Sequence, residues 1–314
     1  MNDQEPAALI NFMPFTKLTS LKVKEIVARL KKGESPAEIC DVVPEHIRSV
    51  PDGSRAILLR EAGPGAALRR LSQHTPESLI EEIKKSGLRG MGGAYFPAGL
   101  KWEFCHNQPS SPKYIVCNAD EGEPGTFKDR ALMSADPGLL LEGMAIAGYA
   151  VGASEGIIYL RAEYAWLKKK LIDKIEQYRK MNLLGKAVAG IEGFNFDIRV
   201  QLGAGAYVCG EETALLNSLE GKRGEPRNKR FFPTERGYLQ QPTVVNNVET
   251  LCAAARIVEL GADRYLQTGT PTSPGTKLLS ISGDCRYPGI YEIEWGTTVR
   301  EMLEKKVRTK IDAI

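Results

Sequence analysis

The chain has 314 residues, 42% of them hydrophobic and 26% charged, enough for two domains around a large core. Its formal net charge is only +3, which gives no reason to expect a nucleic-acid partner. The most apolar window, Gly138 to Ala153, is too short to cross a bilayer and contains Glu142, and the first residues lack a basic start followed by an apolar core, so direct membrane insertion and a signal peptide are not expected and the location reads as cytoplasmic.

In chain order, residues 1 to about 70 are the least informative. Leu21 to Lys32 reads as an amphipathic helix closed by Gly33, Pro36 to Val43 as a second short helix, and Ala56 to Glu61 as a strand. Thr75 to Ser86 carries clear helix punctuation: Thr75 as N-cap, Pro76 at the first helical position, Gly87 at the end. Next comes SGLRGMGGAYFPAGLKWEFC, Ser86 to Cys105, with five glycines inside thirteen residues. Exposed amides, the flanking cations Arg89 and Lys101, and the rings of Tyr95, Phe96, Trp102 and Phe104 suit a ligand with a phosphate and a flat heterocycle. A plain glycine-rich surface loop is the other reading. The stretch follows a helix and not a strand, which counts against a Rossmann turn, and no glycine is followed by Lys and Ser/Thr as in a Walker loop.

Lys113 to Cys117 reads as a buried strand, followed by a stretch of little regular pattern from Asn118 until a helix begins at Asp136-Pro137. Phe127, Leu132 and Met133 argue that this stretch is packed. Asp120, Glu121 and Glu123 stand just past a strand's C-terminal end, where open α/β sheets place their ligands. They read as a solvated acidic turn, as a magnesium site, or as acceptors for ribityl or ribose hydroxyls. Alternation continues: helix Leu139 to Gly152, strand Gly156 to Arg161, helix Tyr164 to Met181, strand Phe194 to Leu202, which together indicate a mainly parallel sheet.

Gly203 to Thr213 then has strand, glycine turn and helix in the order that suits a phosphate or cofactor. Glu211 and Glu212 fall in the first helical turn, where helix capping alone also accounts for them. Residues 221 to 241 interleave Lys222, Arg223, Arg227, Lys229, Arg230 and Arg236 with Phe231 and Phe232. Single-stranded nucleic acid is one reading, and a loop reaching an anionic dinucleotide is the more economical one. Asn246 to Glu249 reads as a capping-box start of a helix running to Gly261. Lys277 to Ser282 and Ile290 to Ile293 read as paired strands, and Thr298 to Lys305 as a helix with a Thr-x-x-Glu box. The cysteines (Cys40, Cys105, Cys117, Cys209, Cys252 and Cys285) show no CxxC pair, and His46, His74 and His106 lie outside every motif, so no metal-ligand set is legible.

Four ordered segments, GLRGMGGAYFPAGLKW, NADEGEPGTFKDR, GAGAYVCGEETALLNSLEGKRGEPR and PTVVNNVET, together resemble the NADH-binding flavoprotein subunit of respiratory complex I (51 kDa-type) and the related diaphorase subunits of NAD-reducing hydrogenases and formate dehydrogenases. The resemblance implies an α/β fold: a Rossmann-like FMN-binding domain over 71–268 and a ubiquitin-like β-grasp (SLBB-type) module over 269–314, after an N-terminal extension, 1–70, of unassigned role. It implies an NADH:acceptor oxidoreductase with FMN and NAD(H) as cofactors. It also implies an iron–sulfur electron-transfer subunit (24 kDa-type) as partner within a larger complex, and through it a place at the cytoplasmic face of a membrane.

Carried over by position, the FMN contacts would be Gly90, Gly92, Lys101, Asn118, Asp120, Glu121, Tyr207, Gly210, Glu211, Val245, Asn246, Asn247 and Thr250. The NADH contacts would be Phe96, Phe104, Glu123, Glu212, Lys229 and Phe232. Three departures stand out. Met91 replaces an arginine of the family's usual GRGGAGF, and Tyr95 replaces its last glycine, where a ring either stacks on the ligand or blocks it. The family's helical domain with CxxCxxC and a further cysteine has no counterpart here, so the expectation is either a fragment or electron exit to a cluster on another subunit. A non-catalytic FMN-binding scaffold and a carboxylate–metal hydrolase are the readings from other classes.

Overall fold

The computed structural model describes residues 4–42, 47–228, 230–283 and 285–307. Lys229, one of the expected NADH contacts, lies outside the described residues, as do His46 and Val43. A small N-terminal unit comes first. Strands β1 (Ala8–Ile10) and β2 (Met13–Phe15) form an antiparallel hairpin beside helices α1 (Ser20–Lys31) and α2 (Pro36–Ile39). Thr19 caps α1 by accepting from the Lys22 N–H, and Gly33 ends it at φ +90°. After strand β3 (Ser49–Val50), the strand expected over 56–61 does not form. A 3₁₀ turn precedes it, and the Glu292 carboxylate accepts from the Ile57, Leu58 and Leu59 N–H groups at 2.7, 2.8 and 2.9 Å. A side chain here takes the donors that a neighbouring strand would take.

Helix α3 (Pro76–Lys85) has the Thr75 cap and Pro76 start read from sequence, and α4 (Ala98–His106) follows the glycine stretch. Strand β4 (Tyr114–Ala119) comes next. The stretch expected to be irregular then contains helix α5 (Lys128–Ala135). Its charged residues Lys128, Asp129 and Arg130 are buried along with Leu132 and Met133, so the polar–apolar period that reveals a helix is missing. Helix α6 (Pro137–Val151) is apolar nearly all round and buried accordingly. Strand β5 (Glu155–Leu160), a 3₁₀ turn over Ala162–Leu167, helix α7 (Lys168–Lys180), strand β6 (Asp197–Leu202), helix α8 (Glu212–Leu219) and the short α9 (Pro233–Arg236) lead to strand β7 (Thr243–Asn247).

Strand β7 corrects the reading of Asn246 as a helix start. The run Thr243-Val244-Val245 is fully buried and β-branched, and it pairs with β4 in the register Val116 to Val245 and Asn118 to Asn247. Asn247 is the N-cap of helix α10 (Val248–Leu260), accepting from the Glu249 N–H at 2.9 Å. The expected capping box is absent because the Glu249 carboxylate turns away to Lys277 and the Leu278 N–H. Helices α6 and α10 pack so closely that a Cβ on Gly143 would sit 2.0 Å from the Leu251 carbonyl oxygen.

The four central strands are all parallel, in the order β6-β5-β4-β7. The chain runs outward from β4 to β6 and then returns to the far side of β4, so strand order reverses between β4 and β7. Ligands in open α/β sheets lie outside the C-terminal ends of the strands at such a reversal. After α11 (Ala262–Leu266) and the small hairpin β8 (Gly269–Thr270) and β9 (Ser273–Pro274), strands β10 (Thr276–Ile281) and β11 (Gly289–Glu294) pair antiparallel. The last described turns begin with α12 (Val299–Glu301), opened by the expected Thr298–Glu301 box. Strand β3 adds to β11 in parallel, Ser49 beside Ile290 and Val50 beside Tyr291. An Arg55–Glu294 ion pair and a 3.2 Å bond from the Glu294 N–H to Asp52 fasten the same edge.

Candidate functional site

The glycine stretch is a loop pinned at its base. Arg89 and Pro97 form an antiparallel bridge, the Gly90 N–H bonds the Phe96 carbonyl at 2.9 Å, and the Met91 N–H bonds the Thr250 hydroxyl on α10 at 2.8 Å. Above that base, Gly92, Gly93, Ala94 and Tyr95 form an exposed turn. An exposed glycine turn of this kind lets a ligand approach the main chain closely. A Cβ on Gly92 would lie 3.2 Å from the Cβ of Asn247, so glycine lets the loop lie against the end of β7. Tyr95 is held at φ +56°, a left-handed conformation that costs a non-glycine residue about 1–2 kcal/mol. Its ring meets Trp295 edge-on, 5.9 Å between centroids.

The loop is the shared wall of two cavities at the β4/β7 reversal. The larger, about 680 Å³, is lined by Met91, Gly92, Gly93 and Tyr95 from the loop, by Asn118 to Glu123 except Ala119, by Tyr207, Val208, Gly210 and Glu211, and by Lys128, Asp129, Asn247 and Lys277. Asn118 braces it by donating to the Gly210 carbonyl at 2.9 Å and accepting from the Asp120 N–H at 3.1 Å. The Glu121 carboxylate accepts from the Asp129 and Arg130 N–H groups at 2.9 and 3.2 Å and from the Tyr164 hydroxyl at 3.1 Å. Burial, with the Asp129 charge adding to it, still pushes the Glu121 carboxyl up to about 7. Burial likewise raises Asp120 to about 6, against the pull of Arg161. Glu123 accepts from the Tyr207 hydroxyl. Glu211 spends one oxygen on capping α8, accepting from the Thr213 and Ala214 N–H groups at 2.9 Å each. With Glu121 turned inward and Glu123 turned to Tyr207, the carboxylates do not converge as magnesium ligands, and no metal-holding group of three exists among the described residues.

The smaller cavity, about 370 Å³, is lined by Ala94 and Phe96 from the loop, Lys101 and Phe104 from α4, Glu212 from α8, Phe232 to Thr234, and Thr243 and Val245 from β7. Phe96 and Phe104 stand 6.3 Å apart at 45°. Phe96, Phe104 and Phe232 are 42%, 47% and 69% exposed, an unusual outlay of apolar surface for three neighbouring rings. The Lys101 ammonium donates to Glu212 at 3.0 Å and to the Val245 carbonyl at 3.1 Å.

The expected residues therefore sort themselves. Gly92, Asn118, Asp120, Glu121, Glu123, Tyr207, Gly210, Glu211 and Asn247 face the larger cavity. Phe96, Lys101, Phe104, Glu212, Phe232 and Val245 face the smaller one. Gly90, Asn246 and Thr250 stand behind the lining: Gly90 in the loop base, Asn246 accepting from the Trp102 indole N–H at 2.9 Å, Thr250 holding Met91. Lys128, Asp129 and Lys277 reach the larger cavity and were missed as site residues. The first two lie within the quoted NADEGEPGTFKDR segment, whereas nothing local to KLLSIS marks Lys277.

Residues 83–256 match the model of the Nuo51 FMN-binding domain. The chain belongs to this family. Its relatives include the NAD-reducing hydrogenase HoxS subunit alpha of Cupriavidus necator, 50% identical over 96% of this chain and 52% of that protein. An NADH-quinone oxidoreductase subunit of Rhizobium meliloti is 46% identical over 82% of this chain and 61% of its own length. A crystal structure of an NAD+-reducing [NiFe]-hydrogenase in the H2-reduced state superposes with a TM-score of 0.86 at 39% identity, covering 96% of this chain and 51% of that one. The chain thus spans between about half and three-fifths of the relatives it matches. Family and structural likeness agree with the Rossmann-like α/β reading, and no helix among the described residues is long and apolar enough to cross a membrane.

Proposed function

We propose that this chain binds FMN in the larger cavity and a nicotinamide dinucleotide across the smaller one, and that it serves as the NADH-oxidising flavoprotein part of a multi-subunit oxidoreductase. One observation carries the reading: the glycine loop of an FMN-binding family separates a cavity lined by carboxylates, amides and lysines from one lined by phenylalanines, so ligands in the two would meet at the loop. The larger cavity fits FMN in size and in acceptors. Its volume lies in the usual range for cofactor sites, the glycine turn lets a ligand lie close to the main chain, and Asn118 and Asp120 can accept from ribityl hydroxyls. Phe96, Phe104 and Phe232 offer ring faces to an adenine. FMN, once bound, takes up hydride and releases electrons singly; the chain's own residues hold, align and desolvate the partners. Glu123, at the larger cavity beside Tyr207, is assigned to the dinucleotide, Lys101 and Glu212 to the approach between the two cavities.

An iron–sulfur subunit of the 24 kDa type is the proposed electron acceptor, with attachment to a membrane face only through such partners. The match to the hydrogenase subunit runs over 96% of the chain, against 82% for the quinone oxidoreductase subunit, which favours a hydrogenase-type assembly as the second reading. The test is anaerobic reconstitution with FMN followed by NADH titration, read by flavin absorption. Bleaching is expected. Bound flavin that stays oxidised favours the non-catalytic scaffold, and a chain that retains no flavin overturns the proposal. In the same assay Glu123→Ala weakens NADH binding while FMN stays bound; loss of flavin instead would remove Glu123 from the dinucleotide side.

A further inference from the structure

We propose that Lys277, from strand β10 of the C-terminal sheet, is a positioning and charge-compensating residue of the larger cavity, holding its floor and stabilising the negative charge that arrives with a hydride. This rests on the FMN reading above and deepens it, for Lys277 lies outside the family-matched residues 83–256.

Lys277 lines the cavity although it belongs to the other sheet, and its side chain is only 15% exposed. Its ammonium bonds Glu249, a wholly buried carboxylate at the start of α10. Lys128 shares the same oxygen at 3.0 Å, and the other oxygen accepts from the Leu278 N–H at 2.9 Å. Lys128 passes the connection on, to Asp129 at 2.6 Å and to the Asn247 side-chain oxygen at 3.3 Å, while the Asn247 amide donates to Asp129 at 2.6 Å. An unbroken chain of bonds thus joins β10 to Asn247, whose side chain packs against the glycine loop.

The charges in this chain are unevenly compensated. Among the described residues, Lys128 pairs with two carboxylates, Asp129 and Glu249, whereas Lys277 pairs with a shared Glu249 and feels the Asp129 charge without pairing to it. Burial pulls the pKa of Lys277 down and the Lys128 charge adds to that pull, with Glu249 opposing it. Burial works against the Glu249 charge, yet Lys128 and Lys277 together outweigh that cost and hold it ionised. The field of the less compensated cation enters the cavity. Hydride transfer from NADH delivers two electrons and one proton and releases NAD+, so the ligand in the cavity ends with one negative charge more than it had. An ammonium there stabilises the reduced state relative to the oxidised one.

The experiment uses the whole 314-residue chain, wild type and Lys277→Met, and measures retention of oxidised FMN and of dithionite-reduced FMN by anaerobic ultrafiltration. Lys277→Met is expected to weaken reduced FMN about tenfold more than oxidised FMN, which lowers the bound flavin's midpoint potential by about 30 mV for a two-electron couple. Lys277→Arg keeps the wild-type ratio, and Glu249→Gln moves it the opposite way. Equal weakening of both forms by Lys277→Met, or an unchanged ratio, overturns the proposal and leaves Lys277 a wall residue. Should Lys277→Met fail to fold, Glu249→Gln decides: a raised ratio of reduced to oxidised affinity supports the proposal, an unchanged one overturns it. A wild-type chain that retains neither form overturns the FMN reading itself, and this inference with it, so the two failures are told apart.

Discussion

The two cavities share one loop but are prepared in different ways. In the larger, the polar side chains are already bonded to one another: Glu121 to the start of α5, Glu249 to two lysines, Asn247 to Asp129. In the smaller, three phenylalanines keep 42%, 47% and 69% of their surface exposed, two of them as a tilted pair. The first has met its ordering cost in folding. The second leaves apolar area to be covered by a ligand, so its binding energy is gained only on association. A tightly held resident in one cavity and an exchanging visitor in the other would need this division.

The contrast breaks most visibly at Glu249. Glu249→Ala leaves Lys128 and Lys277 without their common carboxylate, and an expected loss of about 3–5 kcal/mol should appear in urea unfolding. A loss under about 1 kcal/mol would mean that the floor is not held by this pair. Next comes pH. Glu121 and Asp120 bind protons more tightly in the folded chain than in the unfolded one, so their contribution is complete below the ordinary carboxylate range and disappears as pH rises toward about 7 and about 6. Stability contributed by Glu121 should fall between roughly pH 4.5 and 7, and Glu121→Gln should flatten that part of the profile; an unaltered profile removes Glu121 as its source.

A smaller effect is expected in the aromatic cavity. Phe232→Ala should raise the Kd for NADH by up to about tenfold, the worth of one ring contact, while FMN retention is unchanged. Flavin loss in that variant would erase the distinction between the cavities. The least effect falls on Tyr95, which touches the larger cavity from a left-handed backbone. Tyr95→Gly relieves about 1–2 kcal/mol of strain but gives up the Trp295 contact and adds chain entropy, so stability should stay within about 1 kcal/mol of wild type. A rise in NADH affinity with it would show that the ring obstructs; unchanged affinity would show that it does not.

The sequence made the alternating α/β order legible because α3, α6, β4 and β5 announce themselves by caps and apolar runs. The glycine loop was legible because five glycines within thirteen residues stand out against the apolar runs around them, although close packing of Gly99 on Lys84 and of Gly92 on Asn247 explains part of that run. Three features were not. Helix α5 buries its charges, so no polar face sets off an apolar one. Strand β7 is five residues long and runs directly into the Asn247 cap, so its polar end reads as part of the helix. The stretch 56–61 is shaped by Glu292, more than two hundred residues away, and no local pattern encodes a partner at that distance. The site divided similarly: residues on the loop and strand ends could be named, whereas Lys277 arrives from a different sheet.

The pairing of β3 with β11 also has a consequence for synthesis. Asp52 meets Glu294 across 242 residues of chain. At bacterial and eukaryotic translation rates of roughly 5–20 residues per second, the segment around Ser49 leaves the ribosome on the order of 10–50 s before its partner strand exists. During that interval the central parallel sheet can assemble, while the N-terminal edge waits outside it. The two-residue length of β3 then becomes an advantage, since so short an edge offers little template for a neighbouring nascent chain to add to.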